Sequence, residues 1–142
     1  MATDPTEAQA RNVELAQRGL GNWMAGHREA AIATFSEDIE IHVPAELGNA
    51  GTFHGIDGFH EWNDAWEEAW SEMTITAEAI EPVGDSHVVA LIHSRGKGSA
   101  SGIEVDNHLG WVLCVDDGKL TYLGLQPDLE AARRHALERE AD

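Results

Sequence analysis

The stretch Gly55–Met73, GIDGFHEWNDAWEEAWSEM, is the most informative part of this 142-residue chain for its fold. Large apolar side chains recur in this stretch at steps of one, three or four residues: Phe59, Trp62, Trp66, Ala69, Trp70 and Met73. On a helix they form one stripe about 100° wide, and the acidic residues lie outside it. The stretch therefore predicts an amphipathic helix whose tryptophans need a large apolar partner surface. We expect a concave sheet as that partner, serving either as plain core packing or as the wall of a ligand pocket.

The segment before this helix predicts two further helices and a strand. The first helix presents Leu20 on its apolar face, and a short second helix follows over residues 27–35. Residues 38–43, DIEIHV, alternate apolar and polar side chains, which is typical of a strand. Val43 belongs to the apolar face of that strand, whereas His42 belongs to the opposite face.

The segment after the tryptophan-rich helix is rich in strand patterns. Alternation and turn residues predict four strands, over residues 74–83, 87–95, 102–115 and 120–126. A terminal helix follows over residues 127–140. Residues 52–54, before the tryptophan-rich helix, are a further option for a short strand. Asp116-Asp117-Gly118 is a tight hairpin signal. Hairpin-linked strands after helices predict an α+β fold with an antiparallel sheet, in a single domain over residues 1–142.

The charge balance excludes several classes of partner. Nine Lys and Arg residues against 26 Asp and Glu residues give a net charge of −17. Such a chain has no basic stripe for a phosphate backbone, so we expect no binding to nucleic acid or to an anionic membrane. No apolar run approaches the ~18 residues of a membrane span. Cys114 is the only cysteine, and the acidic N-terminus does not fit a secretory signal, so we expect a cytoplasmic protein.

Five sequence phrases in this order and spacing resemble a known family. They are NWMAGHREAAIATFSEDIEIHVP, GTFHGIDGFHEW, the GD at Gly84-Asp85, RGKGSASG and DDGKLTYLG. The chain is similar to SnoaL-like members of the nuclear transport factor 2 (NTF2-like) superfamily. This resemblance implies a strongly bent antiparallel sheet shaped like a cone, with helices closing its open side. It also implies a homodimer formed through the outer sheet face and a small apolar molecule held inside the cone.

The resemblance does not by itself assign an activity, because the superfamily contains ketosteroid isomerases, polyketide cyclases, epoxide hydrolases and non-enzymes. By the same resemblance, the ketosteroid isomerase base falls on Val43 and its two donors fall on Gly19 and near Trp111. None of these side chains can act as the required acid or base. The Arg-x-Asp pattern of limonene-epoxide-hydrolase-like proteins is also absent, since Arg95 is followed by Gly96-Lys97.

Weak catalytic candidates remain for isomerase-like or cyclase-like chemistry. His42 is the nearest alternative base beside Val43. Asp106, Asn107 and His108 supply the residue types that polyketide cyclases of this family use. Neighbours on a strand face opposite sides, so either Asn107 or the Asp106/His108 pair can face the cavity.

The predicted ligand-binding set combines aromatic, apolar and amide side chains: Leu20, Val43, Trp62, Trp66, Asn107, Trp111, Tyr122 and Gln126. We expect no cofactor. We also expect no metal ion, because the eight histidines lack HxH or HExxH spacing. Cys114 has no activating partner nearby in sequence and is interpreted as structural. The edge of the tryptophan stripe at Asn63 and Glu67 is the expected place for a further polar contact.

Two functional hypotheses follow from the sequence. The first is a SnoaL-like small-ligand protein with or without cyclase-like or isomerase-like activity. The second is a non-catalytic binding or assembly module. The lining of the cavity separates them, because acid–base chemistry requires a titratable group within hydrogen-bond reach of the substrate.

Overall fold

The computed structural model describes residues 5–45 and 51–141. Helices and strands follow one another in these residues as α1 (Glu7–Met24), α2 (Arg28–Ile32), β1 (Phe35–Val43), β2 (Gly51–His54), α3 (Gly55–Ala69), β3 (Trp70–Val83), β4 (His87–Gly98), β5 (Glu104–Asp116), β6 (Lys119–Gln126) and α4 (Leu129–Glu140). This confirms the predicted α+β class. Among the described helices, none combines the length and the apolar character that a membrane span requires.

The six strands form one strongly curved, unclosed sheet in the order β2-β1-β6-β5-β4-β3. Neighbouring strands are antiparallel except for β1 and β6, which are parallel. The sequence interpretation did not anticipate this parallel pair. It arises because α3 carries the chain from β2 to the far edge of the sheet at β3. Three successive hairpins then return the chain to the free side of β1.

The two faces of the sheet have different partners. Alternate residues of the central strands, including Val88, Ile92 and Leu113, lie in the main core with α1 and α3. The intervening residues Val89 and Val112 lie in a second, smaller core beneath α4. We call these the inner face and the outer face, respectively. This division decides which side chains can reach a ligand in the cone.

The tryptophan-rich helix is shorter than its sequence pattern indicates. Helix α3 ends at Ala69, and Trp70 is already extended, with φ −125° and ψ 137°. Two residues later Glu72 has a φ of 54°, and the pairing of β3 with β4 shifts register between Ser71 and Thr74. The prediction of a helix to Met73 is therefore wrong at its end. The helical spacing of apolar residues extends past Ala69 because Trp70, like Trp66, borders a cavity inside the curved sheet.

Gly19 in α1 allows the helix to approach the sheet closely. A Cβ at this position would lie 2.8 Å from both Leu120 Cδ1 and Thr34 Oγ1. Gly21, on the same helix, has no neighbouring atom within 4 Å of the equivalent point. Both glycines lower the helix propensity of α1. Packing therefore requires a glycine at position 19 but not at position 21.

We expect Gly19→Ala to destabilise the protein and Gly21→Ala to stabilise it. Overpacking at position 19 costs about 1–3 kcal/mol, which outweighs a helix-propensity gain of up to about 1 kcal/mol. At position 21 only the propensity gain applies. Urea unfolding of both variants measures the difference. Equal stabilities of the two variants would contradict the proposed close approach.

Candidate ligand-binding site

Four tryptophans from three elements pack together inside the curved sheet. Trp23 of α1 lies at the centre, and its ring centroid is 5.6 Å from Trp62, 5.2 Å from Trp66 and 5.5 Å from Trp111. These separations are within the range of favourable aromatic pairs. Trp23 was not in the predicted binding set. Its signal was its position three residues after Leu20, on the apolar face of the first helix.

The edge of the α3 stripe makes the polar contacts expected there. The Trp23 indole Nε1–H donates to Asn63 Oδ1 at 2.5 Å, and Asn63 is only 2% exposed. On the exposed side, the Arg28 guanidinium lies 3.0 Å from Asp64 and 3.2 Å from Glu67. The buried amide therefore fixes the central indole, and the surface ion pairs join the α2 region to α3.

A small inner cavity lies between α1, α3 and the sheet. Its volume is about 20 Å³, roughly the space of one water molecule, and its lining is almost entirely apolar. Leu20, Trp23, Trp62 and Trp111 contribute to it. Trp111 is 2% exposed, and its Nε1–H has no hydrogen-bond partner among the described residues. The deepest part of the cone therefore contains one unused donor.

A larger cavity opens at the mouth of the cone, with a volume of about 540 Å³. Its walls are mainly aromatic and aliphatic, with a few neutral polar side chains; they include Val43, Trp62, Trp66, Trp70, Ser94, Asn107 and Leu125. Trp62 lines both this mouth cavity and the inner cavity. Trp62 is thus the point at which the two cavities adjoin.

Most of the predicted ligand-binding residues lie at one of these cavities: Leu20 and Trp111 at the inner one, Val43, Trp66 and Asn107 at the mouth, and Trp62 at both. Asn107 faces inward because it alternates with the inner-face residues Leu109 and Trp111. That these side chains bind a ligand stays a prediction.

Tyr122 borders the inner cavity but directs its hydroxyl to the outer face, and Gln126 lines neither cavity, so the prediction that both side chains face inward is wrong. Cys114 pairs with Tyr122, whereas Val115 pairs with Leu120, so Thr121 forms a bulge in β6. The extra residue reverses the alternation, and Leu123 and Leu125 join the main core. The Tyr122 hydroxyl instead lies 2.8 Å from His135 Nε2 of α4. Its ring fills the outer-face space that Gly124 leaves open.

The three weak catalytic candidates lie on the outer face. His42 alternates with the core residues Ile41 and Val43, and its Nδ1 is 3.2 Å from Thr52 Oγ1. Asp106 and His108 alternate with Asn107 and Leu109 in the same way. None of the three contributes to the lining of either cavity. The structure thus gives no support for these residues as acids or bases toward a ligand in the cone.

The cavity lining is correspondingly poor in titratable groups. Among residues 5–45 and 51–141, neither cavity is lined by an Asp, Glu, His, Cys, Lys or Arg side chain. Tyr122 borders the inner cavity, but its hydroxyl is engaged with α4 on the other face. The arrangement can enclose an organic molecule and hydrogen-bond it with neutral groups.

A family model for the SnoaL-like domain matches residues 16–123, which is most of the chain. The chain belongs to the SnoaL-like domain family. This confirms the resemblance deduced from the sequence phrases. No curated protein sequence matches the chain significantly.

Several solved structures share the fold of this SnoaL-like chain. A Jannaschia protein described as a SnoaL-like polyketide cyclase has a TM-score of 0.77 and 19% identity, covering 96% of this chain and 98% of its own. TerC co-crystallised with polyporic acid has a TM-score of 0.72 and 19% identity, covering 90% and 98%. A Mycobacterium tuberculosis protein in complex with estradiol-17β-hemisuccinate has a TM-score of 0.67 and 15% identity, covering 84% and 95%. These likenesses establish the fold.

A polar cluster away from the cavities attaches α4 to the outer face of the sheet. The Glu140 carboxylate accepts hydrogen bonds from the Asp85 backbone N–H at 2.7 Å, from the Ser86 hydroxyl and from His87 Nδ1. Gly84 adopts a φ of +62°, and any Cβ there would overlap the Glu140 side chain. This contact gives the Gly84-Asp85 phrase of the family a structural role in this chain.

His87 and Cys114 are direct cross-strand partners in this cluster. Burial lowers the pKa of His87, but hydrogen bonds with Cys114 and Glu140 outweigh it and leave the pKa raised. Burial likewise raises the pKa of the Cys114 thiol, but hydrogen bonding with His87 and Thr121 lowers it overall. The sequence shows no activating partner near Cys114, and His87 becomes its neighbour only in the folded sheet. The partner is distant in sequence and adjacent only through strand pairing.

We expect the contact between Glu140 and His87 to contribute most to the free energy of unfolding between pH 4.5 and 6.5. Burial raises the Glu140 pKa, but hydrogen bonds from Ser86 and His87 leave it lowered, so its contribution is present above 4.5 and lost as pH falls through the lowered pKa. The raised His87 pKa adds stability that is complete below 6.5 and lost as pH rises through that pKa. Glu140→Gln should therefore cost about 1–3 kcal/mol at pH 5.5 and less at pH 8.5.

Urea unfolding at both pH values measures this difference. Glu138→Gln is the matched control, because Glu138 is an exposed carboxylate on the same helix. An equal loss of unfolding free energy at pH 5.5 and 8.5 would show that the His87 charge is not involved.

Proposed function

We propose that this SnoaL-like chain is a small-molecule-binding protein that holds a flat, mainly apolar organic molecule in the mouth cavity. The observation that carries this proposal is a cavity of about 540 Å³ bordered by Trp62, Trp66 and Trp70. Ligand sites of 300–1,000 Å³ are typically apolar and aromatic, with a few polar groups that fix orientation. Indole rings offer large rigid faces for a planar ligand.

Asn107 and Ser94 supply the orienting polar groups in this proposal. Asn107 is exposed at the cavity, and its amide can both donate and accept a hydrogen bond. The Ser94 hydroxyl donates to Met73 Sδ at 3.2 Å, which leaves its oxygen lone pairs to accept. Ser94 and Asn107 are paired across β4 and β5, so both act on the same part of a ligand. A carbonyl or hydroxyl group on the ligand suits this pair.

The inner cavity offers a hydrogen-bond donor to a ligand oxygen that lies deeper in the cone than the mouth cavity. The unpartnered Trp111 Nε1–H is a buried donor whose desolvation costs about 1–3 kcal/mol when no acceptor is present. A single water would find few partners in this apolar space, since buried waters ordinarily make two to four hydrogen bonds. An oxygen atom on an otherwise apolar ligand would satisfy the donor. Such a ligand would have to pass Trp62, which borders both cavities.

Related structures support the same ligand class. TerC was co-crystallised with polyporic acid, and the Mycobacterium tuberculosis protein was solved with estradiol-17β-hemisuccinate. Both are proteins of this fold with a small organic molecule bound. A homodimer, which the family resemblance implies, remains a prediction beside this proposal.

Polyketide-cyclase-like catalysis is the second candidate, favoured by the Jannaschia protein described as a SnoaL-like polyketide cyclase. Catalysis of that kind moves protons and needs an acid or base within about 3 Å of the reacting atoms. The cavity lining in the described part of the chain consists of aromatic and aliphatic side chains with a few amide and hydroxyl groups. Binding therefore ranks above acid–base catalysis.

We expect polyporic acid or estradiol-17β-hemisuccinate to bind the purified chain, with affinity reduced at least about tenfold in Trp66→Ala and in Asn107→Leu. Trp66 lines only the mouth cavity and is half-buried, so its loss removes an aromatic wall with limited effect on folding. A tenfold loss corresponds to about 1.4 kcal/mol, within the range of one aromatic or hydrogen-bond contact. Isothermal titration calorimetry measures the affinities.

His42→Ala is the control, because His42 lies on the outer face and should leave binding unchanged. Mass spectrometry of the native protein adds a test for a copurified organic molecule. If neither probe binds and nothing copurifies, or if both cavity variants bind as tightly as the unmodified chain, the proposal is wrong.

A further inference from the structure

The outer face of the sheet carries a compact group of imidazoles and carboxylates that the ligand cavity does not use. His93 of β4 and His108 of β5 are direct cross-strand partners, and their rings stack with centroids 4.4 Å apart and planes within 6°. Glu78 of β3 lies at a register shift between Ala77 and Ala79. This irregularity places the Glu78 carboxylate beside both histidines.

The ligand atoms of these three residues converge. His108 Nε2 lies 2.8 Å from Glu78 Oε1, and His93 Nδ1 lies 3.8 Å from Glu78 Oε2. One nitrogen or oxygen atom from each of the three side chains lies within 4.8 Å of the others. Ligands of a tetrahedral zinc ion are about 3.3 Å apart, given bond lengths near 2.0–2.1 Å. Because imidazole nitrogens bind a metal in the plane of the ring, the stacked His93 and His108 rings must tilt out of their parallel arrangement to bring all three ligand atoms onto one ion.

Asp106 supports the same arrangement from outside. Its Oδ1 lies 2.6 Å from His93 Nε2, and Arg95 Nε lies 3.4 Å from its other oxygen. A carboxylate oxygen at this distance acts as the acceptor, so His93 donates its Nε2–H to Asp106. Acceptance from Nε2–H leaves the lone pair of His93 on Nδ1, toward Glu78 and His108. Histidines that bind metals commonly donate their other N–H to a carboxylate in this way.

We propose that Glu78, His93 and His108 form a binding site for a divalent transition-metal ion, with Zn²⁺ as its representative. Two imidazoles and one carboxylate are a recognised ligand set for such ions and leave a further coordination position open. The chain's net charge of −17 adds a favourable field for a cation. The sequence predicts no metal site because it contains no local metal-binding motif. These ligands come from three strands, fifteen residues apart, and are joined only by strand pairing.

Surface ion pairing is the competing explanation for the cluster. Exposed pairs of this kind contribute only about 0–1 kcal/mol, and they would bind Zn²⁺ no better than scattered histidines do. The two explanations differ in stoichiometry and in which residues matter. The full chain, treated with a chelator and then dialysed, is titrated with ZnCl₂ by isothermal titration calorimetry.

We expect one Zn²⁺ per chain, with affinity reduced at least tenfold in His93→Ala and in His108→Ala. Asp106→Asn should weaken binding without abolishing it, because Asp106 positions His93 rather than binding the ion. His54→Ala is the control, since His54 is an exposed histidine outside the cluster. Co²⁺ substitution gives a second readout: a visible absorption band in the unmodified chain that is lost in His93→Ala.

Glu78→Gln guards against misfolding as an explanation, because it preserves side-chain size while removing the ligand charge. Circular dichroism of each variant establishes that the fold is retained. The proposal is overturned if Zn²⁺ shows no saturable binding. It is equally overturned if His93→Ala and His108→Ala bind as tightly as His54→Ala.

Discussion

The packing of the partly buried Trp23 against α3 and β5 is the contact on which the interior of this protein depends. One indole contacts Trp62, Trp66 and Trp111, and its only polar atom is satisfied by the buried Asn63 amide. A buried indole N–H without such an acceptor would cost about 1–3 kcal/mol. The Asn63 hydrogen bond thus fixes the ring, and the ring fixes how far α1 and α3 enter the curved sheet.

The depth at which those helices enter determines the shape of the cavities. Gly19 lets α1 approach Leu120 and Thr34 closely, so the deep end of the cone is nearly filled. Space remains at the mouth, where α3 ends at Ala69 and the chain turns into β3 with Trp70 at the cavity wall. The same tryptophan stripe therefore serves as core at its beginning and as an open wall at its end.

The sequence predicted the element order, the fold class and most inner-face residues because periodicity reports burial directly. Asn107 and Trp111 were placed correctly, since β5 alternates without interruption through that segment. Tyr122 and Gln126 were misplaced because one bulge at Thr121 reverses the alternation, and a bulge leaves little trace in a single sequence. The contacts of Cys114 with His87, and of Glu78 with His108, could not be predicted, because they depend on strand register.

Strand alternation also separates the chemistry of this protein into two compartments. On the adjacent strands β4 and β5, the Ser94–Asn107 pair faces the mouth cavity, and the neighbouring His93–His108 pair faces outward. Neutral groups therefore line the cone, whereas the titratable groups of the same strands lie on the other side of the sheet. Placing a charged group inside would carry a desolvation cost that the apolar lining could not offset. A cone lined by neutral groups and an outer face that carries imidazoles and carboxylates are thus two consequences of one backbone alternation.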